Sequence, residues 1–156
     1  LVLNRIAKVK ENREYMPFAP DIIITTPEGV ALVAEAKLSL PDLQLTEDNL
    51  KRYMVGMQCP IGLLVTPERM WVHRDTYTVR SPQSVERVGE FNAANLWQQP
   101  PPTEGWAFEA FVQQWLEHLV EQSTAQLPET LREALREYVL PAVASGDVRA
   151  AHPRYN

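Results

Sequence analysis

The chain has 156 residues, 45% of them apolar and 22% charged, which is the composition of one ordinary globular domain able to bury a core without staples. One cysteine, Cys59, rules out an intrachain disulfide framework, and no window approaches the length of a transmembrane helix. A net charge of −5 argues against a strong sequence-independent grip on nucleic acid, although its distribution is uneven: residues 1–80 hold ten basic and ten acidic residues, residues 81–156 five and ten. If DNA is bound, the first half is expected to bind it. No signal-peptide pattern is evident, so a cytoplasmic location without a membrane partner is expected. Because residue 1 is Leu, the chain is expected to have lost an initiator segment or to be a piece of something longer.

In chain order, residues 1–14 have a helical pattern, with Val2, Ile6 and Val9 on one face and a charged opposite side. Pro17 and Pro20 end that helix and lead, extended, into two β-rich runs, Asp21–Thr26 and Val30–Lys37. Pro27-Glu28-Gly29 reads as a three-residue hairpin loop, with Gly29 supplying a positive φ. Counting outward from that loop sets Thr26 opposite Val30 and brings Asp21 opposite Glu35, with Lys37 on the same face. A two-residue Glu28-Gly29 turn would instead pair Asp21 with Ala36.

Two carboxylates about 5 Å apart repel by about 3 kcal/mol at an effective dielectric near 20. A divalent cation between them reverses that sign, and carboxylate oxygens are the ligands Mg²⁺ takes. An ammonium beside them is placed to hold a water or to stabilise charge developing on a phosphate.

Pro20-Asp21, thirteen intervening residues and Glu35-Ala36-Lys37 resemble the motif of the PD-(D/E)xK nuclease superfamily, over roughly residues 1–80. The likeness is nearest to type I restriction subunit N-terminal domains and related small nucleases. It implies a restriction-endonuclease-like three-layer α/β/α fold with a mixed central sheet, and a Mg²⁺-dependent DNA endonuclease with Mn²⁺ as substitute. Asp21 and Glu35 would bind the metal with the Ala36 carbonyl, and Lys37 would orient the attacking water or stabilise the phosphorane. The superfamily often places a Glu from its first helix near the metal, for which Glu11 and Glu14 are the candidates here. Its usual strand before the Pro-Asp strand has only Tyr15–Phe18 to supply it.

After Lys37, Thr46 is the expected N-cap of a helix running to about Gln58, with Leu50, Tyr53, Met54 and Met57 as its buried stripe. Asn49 and Tyr53 are similar to a Gln-x-x-x-Tyr pair of exonuclease-like members of the superfamily; a core tyrosine with a surface asparagine is the alternative. Lys51 and Arg52 are candidates for phosphate contact or for plain solvation. Ile61–Thr66 is expected as a central strand parallel to 30–37, Met70–Arg74 as the next strand and Tyr77–Arg80 as a possible further one. Val85–Phe91 has no decisive pattern, and Gln98–Pro102 reads as a linker.

The division expected is a nuclease-like core over 1–98 and a helical extension over 99–156. The extension carries one stripe of Phe108, Phe111, Val112, Trp115, Leu116 and Leu119, and a second from Pro128 to Pro141 with Leu131, Ala134, Leu135, Tyr138 and Val139. The pair is expected to pack on the sheet or to cover a homodimer interface. His73 reads as structural, and the four tryptophans as packing groups. The rival to a nuclease is a weakly active or inactive module of that fold serving protein or DNA binding. A third reading makes Asp21, Glu35 and Lys37 a structural ion cluster on an unrelated α/β domain.

Overall fold

The computed structural model describes residues 19–154. The expected first helix, the Tyr15–Phe18 strand, and Glu11 and Glu14 lie outside those residues. Among them the chain forms β1 (Ile22–Thr26), β2 (Gly29–Ala36), α1 (Leu43–Gly56), β3 (Ile61–Val65), β4 (Arg69–Asp75), β5 (Val85–Asn92), α2 (Gly105–His118), α3 (Glu129–Ala134), α4 (Leu140–Ser145) and β6 (Asp147–Ala150). The fold is mixed α/β, built on a six-stranded mixed sheet of order β5-β4-β3-β2-β1-β6. β2 and β3 are parallel across the α1 crossover, and every other neighbouring pair is antiparallel.

Period-two alternation divides the strands between two cores. Ile22, Ile24, Leu32, Ala34, Leu63, Val65 and Val72 face Phe108, Val112, Leu116, Leu135 and Val139 of the C-terminal helices. Val33, Leu64 and Trp71 face Leu50 and Met54 of α1 on the other side. α1 lies close to the sheet because Gly62 has no side chain: a Cβ there would stand 2.6 Å from the Met54 sulfur. The apolar stripes of the C-terminal helices pack within the protomer, with Trp115, Leu116 and Leu135 buried and Phe111 and Tyr138 partly buried.

The hairpin turn differs from the sequence expectation. Thr26 pairs with Gly29, so the turn is the two-residue Pro27-Glu28, and Gly29 takes a φ of +135°. Ala31 is then passed over as a bulge between the Thr25–Val30 and Ile24–Leu32 pairs. The shorter turn and the extra residue cancel, and the outer register, ending at Ile22 opposite Ala34, is the one that the three-residue loop gave.

Other expectations are corrected by local chemistry. Helix α1 is capped by Asp42, whose Oδ1 accepts the Leu45 N–H at 3.1 Å, and Thr46 lies inside the helix with its hydroxyl donating back to the Asp42 carbonyl. Asp42 is as good an N-cap residue as Thr46, and starting there brings Leu43 into the helix and against the core beneath α1. Met57 is half exposed, since it lies beyond the last helical turn. Tyr77–Arg80 is not a strand, whereas Val85–Asn92 pairs with β4 along its length. The helix beginning after Pro128 does not stop before Pro141. It passes through a π turn at Leu135–Val139 into α4, which accommodates the proline near its start. The segment 99–156 is not wholly helical, for β6 returns to the sheet and pairs with β1.

Among the described residues no helix is long and apolar enough to cross a membrane.

Candidate metal and phosphate site

At the end of the sheet where β1 begins and β2 ends, backbone hydrogen bonds hold the elements that carry the site. The Asp21 N–H donates to the Ala34 carbonyl, and the Lys37 N–H to that of Val65. Asp21 itself bridges two strands: its carbonyl accepts from Ala151 at 2.9 Å, and its Oδ2 accepts from the Ala36 N–H at 2.8 Å. This last bond fixes the carboxylate against β2.

Three carboxylates meet here around one ammonium. Lys37 Nζ lies 3.1 Å from Glu35 Oε1, 3.3 Å from Asp21 Oδ1 and 3.5 Å from Glu109 Oε1. Asp21, Glu35 and Glu109 are all buried, with 1%, 6% and 9% of their surface exposed, whereas the Lys37 side chain is 44% exposed. The sequence placed Asp21, Glu35 and Lys37 on one face; the structure brings them together and buries both acids. Glu109 arrives from α2 on the opposite side of the sheet, so the two layers converge at this end. His152 and Arg154, just beyond β6, close the group: His152 Nε2 is 3.2 Å from Asp21 Oδ1, and Arg154 Nε is 3.3 Å from Glu109 Oε2. Arg154 also donates to Gln113 Oε1 at 2.6 Å.

The crowding of acids sets their protonation. Burial, then the charge of Asp21, pushes Glu35 up to about 7, with Lys37 offsetting only part of this. Burial and the hydrogen bond with Asp21 also raise Glu109. Burial would raise Asp21 too, but bonds from Glu109 and the Ala36 amide, with the Lys37 charge, outweigh it and hold this carboxyl below the usual range. Burial works against the Lys37 ammonium, yet Asp21 and Glu35 raise its pKa above the ordinary value. The bond to the Pro153 carbonyl, and then contact with Asp21, raise His152.

Ligand atoms of Asp21, Glu109 and His152 all lie within 4.8 Å of one another, close enough to share one cation. Two carboxylates and an imidazole are donors for Mn²⁺ as well as Mg²⁺, so the set is not specific to Mg²⁺.

Lys37 separates two cavities. One, of about 230 Å³, is lined by Ala19, Glu35, Lys37, Leu40, Thr46 and Asn49 on the α1 side. The other, of about 550 Å³, lies on the α2 side and reaches Ala36, Lys37, Trp106, Glu109, His152 and Arg154. Asn49 therefore stands by the site. Tyr53 packs with the core beneath α1, Lys51 is half-buried and Arg52 exposed, and none of the three lines either cavity.

Glu109, His152 and Arg154 were missed from sequence. A signal existed for Glu109, which interrupts the inward face of α2 between Phe108 and Val112. None existed for His152 and Arg154, which depend on β6 pairing with β1 from the far end of the chain.

Comparison with protein-family models, with curated proteins and with solved structures finds no match.

Proposed function

We propose that this chain is a metal-dependent phosphodiesterase acting on DNA, with a restriction-endonuclease-like arrangement of its sheet. The observation that carries this reading is the surplus of buried acid: three carboxylates within 3.5 Å of a single lysine nitrogen. A cluster serving stability alone gains nothing from a third buried carboxylate, which raises the repulsion and the desolvation cost. A divalent cation, Mg²⁺ or Mn²⁺, fits the donor set, and Asp21 would hold it with Glu35 or with Glu109 and His152. Such an ion supplies charge neutralisation at the phosphate and a more acidic bound water.

The chain's own groups take the other roles. Lys37, partly exposed between two cavities, donates hydrogen bonds to a phosphate oxygen or orients the water that attacks it. Glu35, with a pKa of about 7, is poised to exchange a proton near neutrality. The topology supports the superfamily reading in a rearranged form. β6, from the C-terminus, lies beside β1 where the superfamily's first strand would lie, and Glu109 on α2 takes the part expected of a first-helix glutamate.

One observation favours a second reading, a nuclease-fold module without cleavage: His152 and Arg154 already pair with Asp21 and Glu109. Thermal melts of wild type and Glu35→Gln, each in EDTA and in millimolar Mg²⁺ or Mn²⁺, test both, alongside nicking of supercoiled plasmid. A working site raises the wild-type midpoint with metal, by about 2.7 kcal/mol of stability at a hundredfold excess over Kd. It loses most of that response in Glu35→Gln and nicks plasmid only with metal. A wild type indifferent to metal, and a mutant less stable in EDTA, would sink the proposal in favour of a structural ion cluster.

A further inference from the structure

The larger cavity beside Lys37 has one wall that cation binding does not explain. Trp106, in the first turn of α2, lines it with 39% of its surface exposed. The other tryptophans are used in packing. Trp71 and Trp115 are 6% exposed, and Trp97 is held among Phe108, Phe111 and Trp115 with its N–H on the Pro67 carbonyl. The same cavity is lined by the donors Lys37, His152 and Arg154, the last with a side chain 17% exposed, together with Glu109. The cavity's volume of about 550 Å³ falls in the range of small-molecule sites. An open aromatic face next to clustered cations, one of them at the phosphate position, matches the recognition of an unpaired nucleotide: the base stacks and the phosphate is clamped.

Building on the phosphodiesterase reading, we infer that this cavity receives the base of an unpaired nucleotide adjoining the scissile phosphate, stacked on Trp106, with Lys37 and Arg154 meeting its phosphate. The substrate class is then single-stranded DNA or a frayed end. A base within a continuous duplex keeps both faces stacked on its neighbours and cannot also stack on an indole in the cavity wall unless it is unpaired.

The test compares binding of a fluorescein-labelled oligothymidylate and of a blunt hairpin duplex, by anisotropy in millimolar Ca²⁺, for wild type, Trp106→Ala and Trp106→Phe. Trp106→Ala is expected to weaken single-strand binding about ten- to a hundredfold, the range that base–aromatic stacking supports. Trp106→Phe should stay within about threefold of wild type, and duplex binding should not depend on residue 106. Equal single-strand affinity of wild type and Trp106→Ala overturns the inference, as does tighter binding of the blunt duplex, or no binding of either DNA. Plasmid nicking separates the two proposals. Metal-dependent nicking without a Trp106 effect on single strands leaves the phosphodiesterase reading standing and removes the base pocket. Trp106-dependent single-strand binding with no cleavage in Mg²⁺ or Mn²⁺ does the reverse.

Discussion

Two ionic clusters flank the same sheet, one on its α1 side and one at the end where the α1 and α2 layers converge, and they are built on opposite principles. In the first, Glu47 of α1 is buried but fully answered: Arg87 Nε donates to Oε2 at 2.8 Å while Arg87 Nη2 bonds Oε1, and His73 Nε2 lies 2.7 Å from Oε2. One acid meets two bases. In the second, Asp21, Glu35 and Glu109 crowd around Lys37, with Arg154 pairing Glu109 and the partly exposed His152 reaching Asp21. The protonation of the two glutamates shows the contrast. Burial alone would raise Glu47, but the bonds from Arg87 and His73 outweigh it and bring its pKa to about 2. Burial and a like charge push Glu35 to about 7. A buried carboxylate with its bases supplied is a tie between α1, β4 and β5. A buried carboxylate whose neighbours are mainly other acids carries an unrelieved electrostatic cost, and that difference, not burial itself, distinguishes the two clusters.

The largest expected effect is on the balanced cluster. Glu47→Ala leaves buried His73 and the Arg87 guanidinium without their acceptor and should lower stability by about 3 kcal/mol, toward the low end for a broken buried pair because Arg87 is partly exposed. Urea unfolding in EDTA at pH 7 measures it; a loss under 1 kcal/mol would erase the distinction drawn between the clusters. Their pH responses should also run in opposite directions. Glu47 has a folded pKa below its ordinary 4.5, so its contribution is present above that value and is lost as pH falls toward about 2. Glu35 has a raised folded pKa, so the native state holds its proton longer than the unfolded chain, and stability falls as pH rises from about 4.5 to about 7. The second change should be roughly 2 kcal/mol and should vanish in Glu35→Gln while the acid-side loss remains. A wild-type stability profile flat between pH 5 and 7 would contradict this assignment.

Removing the one ammonium shared by the acidic cluster should cost less than removing Glu47, because Lys37 is partly solvated. Lys37→Met is expected to lose about 1–2 kcal/mol at pH 8 and less at pH 5.5, where Glu35 carries its proton. An equal loss at both pH values would mean that Lys37 acts through packing. The smallest effect is expected at the margin. His152→Ala should change stability by no more than about 0.5 kcal/mol, because the imidazole is partly solvated and Asp21 keeps its bonds to Ala36 and Lys37. Its contribution should be present below the ordinary histidine pKa of 6.5 and be lost as pH rises through the raised folded value, since the ring stabilises only while it is charged. A loss above 1 kcal/mol would show that the C-terminal tail is a structural lock on Asp21 rather than a marginal partner.

What the sequence determined by itself was local. The alternation of Ile22, Ile24, Leu32 and Ala34, with Pro27 and Gly29 between, specifies a hairpin, and its period of two sets Glu35 and Lys37 on a common face. The apolar run at 61–65 between prolines specifies a buried strand, and the stripe on α2 a buried helix. Signals of this kind survive because they depend on neighbours a few residues apart. Even so, the turn was misread while the outer register came out the same, because a bulge at Ala31 offset the shorter loop.

Only the tertiary structure decided what surrounds the carboxylates. β6 pairs Ala150 with Ile22, and that pairing delivers His152 to Asp21 across 131 residues of chain. α2 packs its inward face against the far side of the sheet, and there Glu109 becomes a third acid rather than a surface charge. Glu47, three residues before Leu50 on the inward side of α1, has partners, His73 and Arg87, on strands that no local pattern joins to it. The reason is physical. Strand and helix patterns record which face of an element is apolar, whereas the charge balance of a buried cluster is fixed by which elements meet, and that is settled by non-local packing.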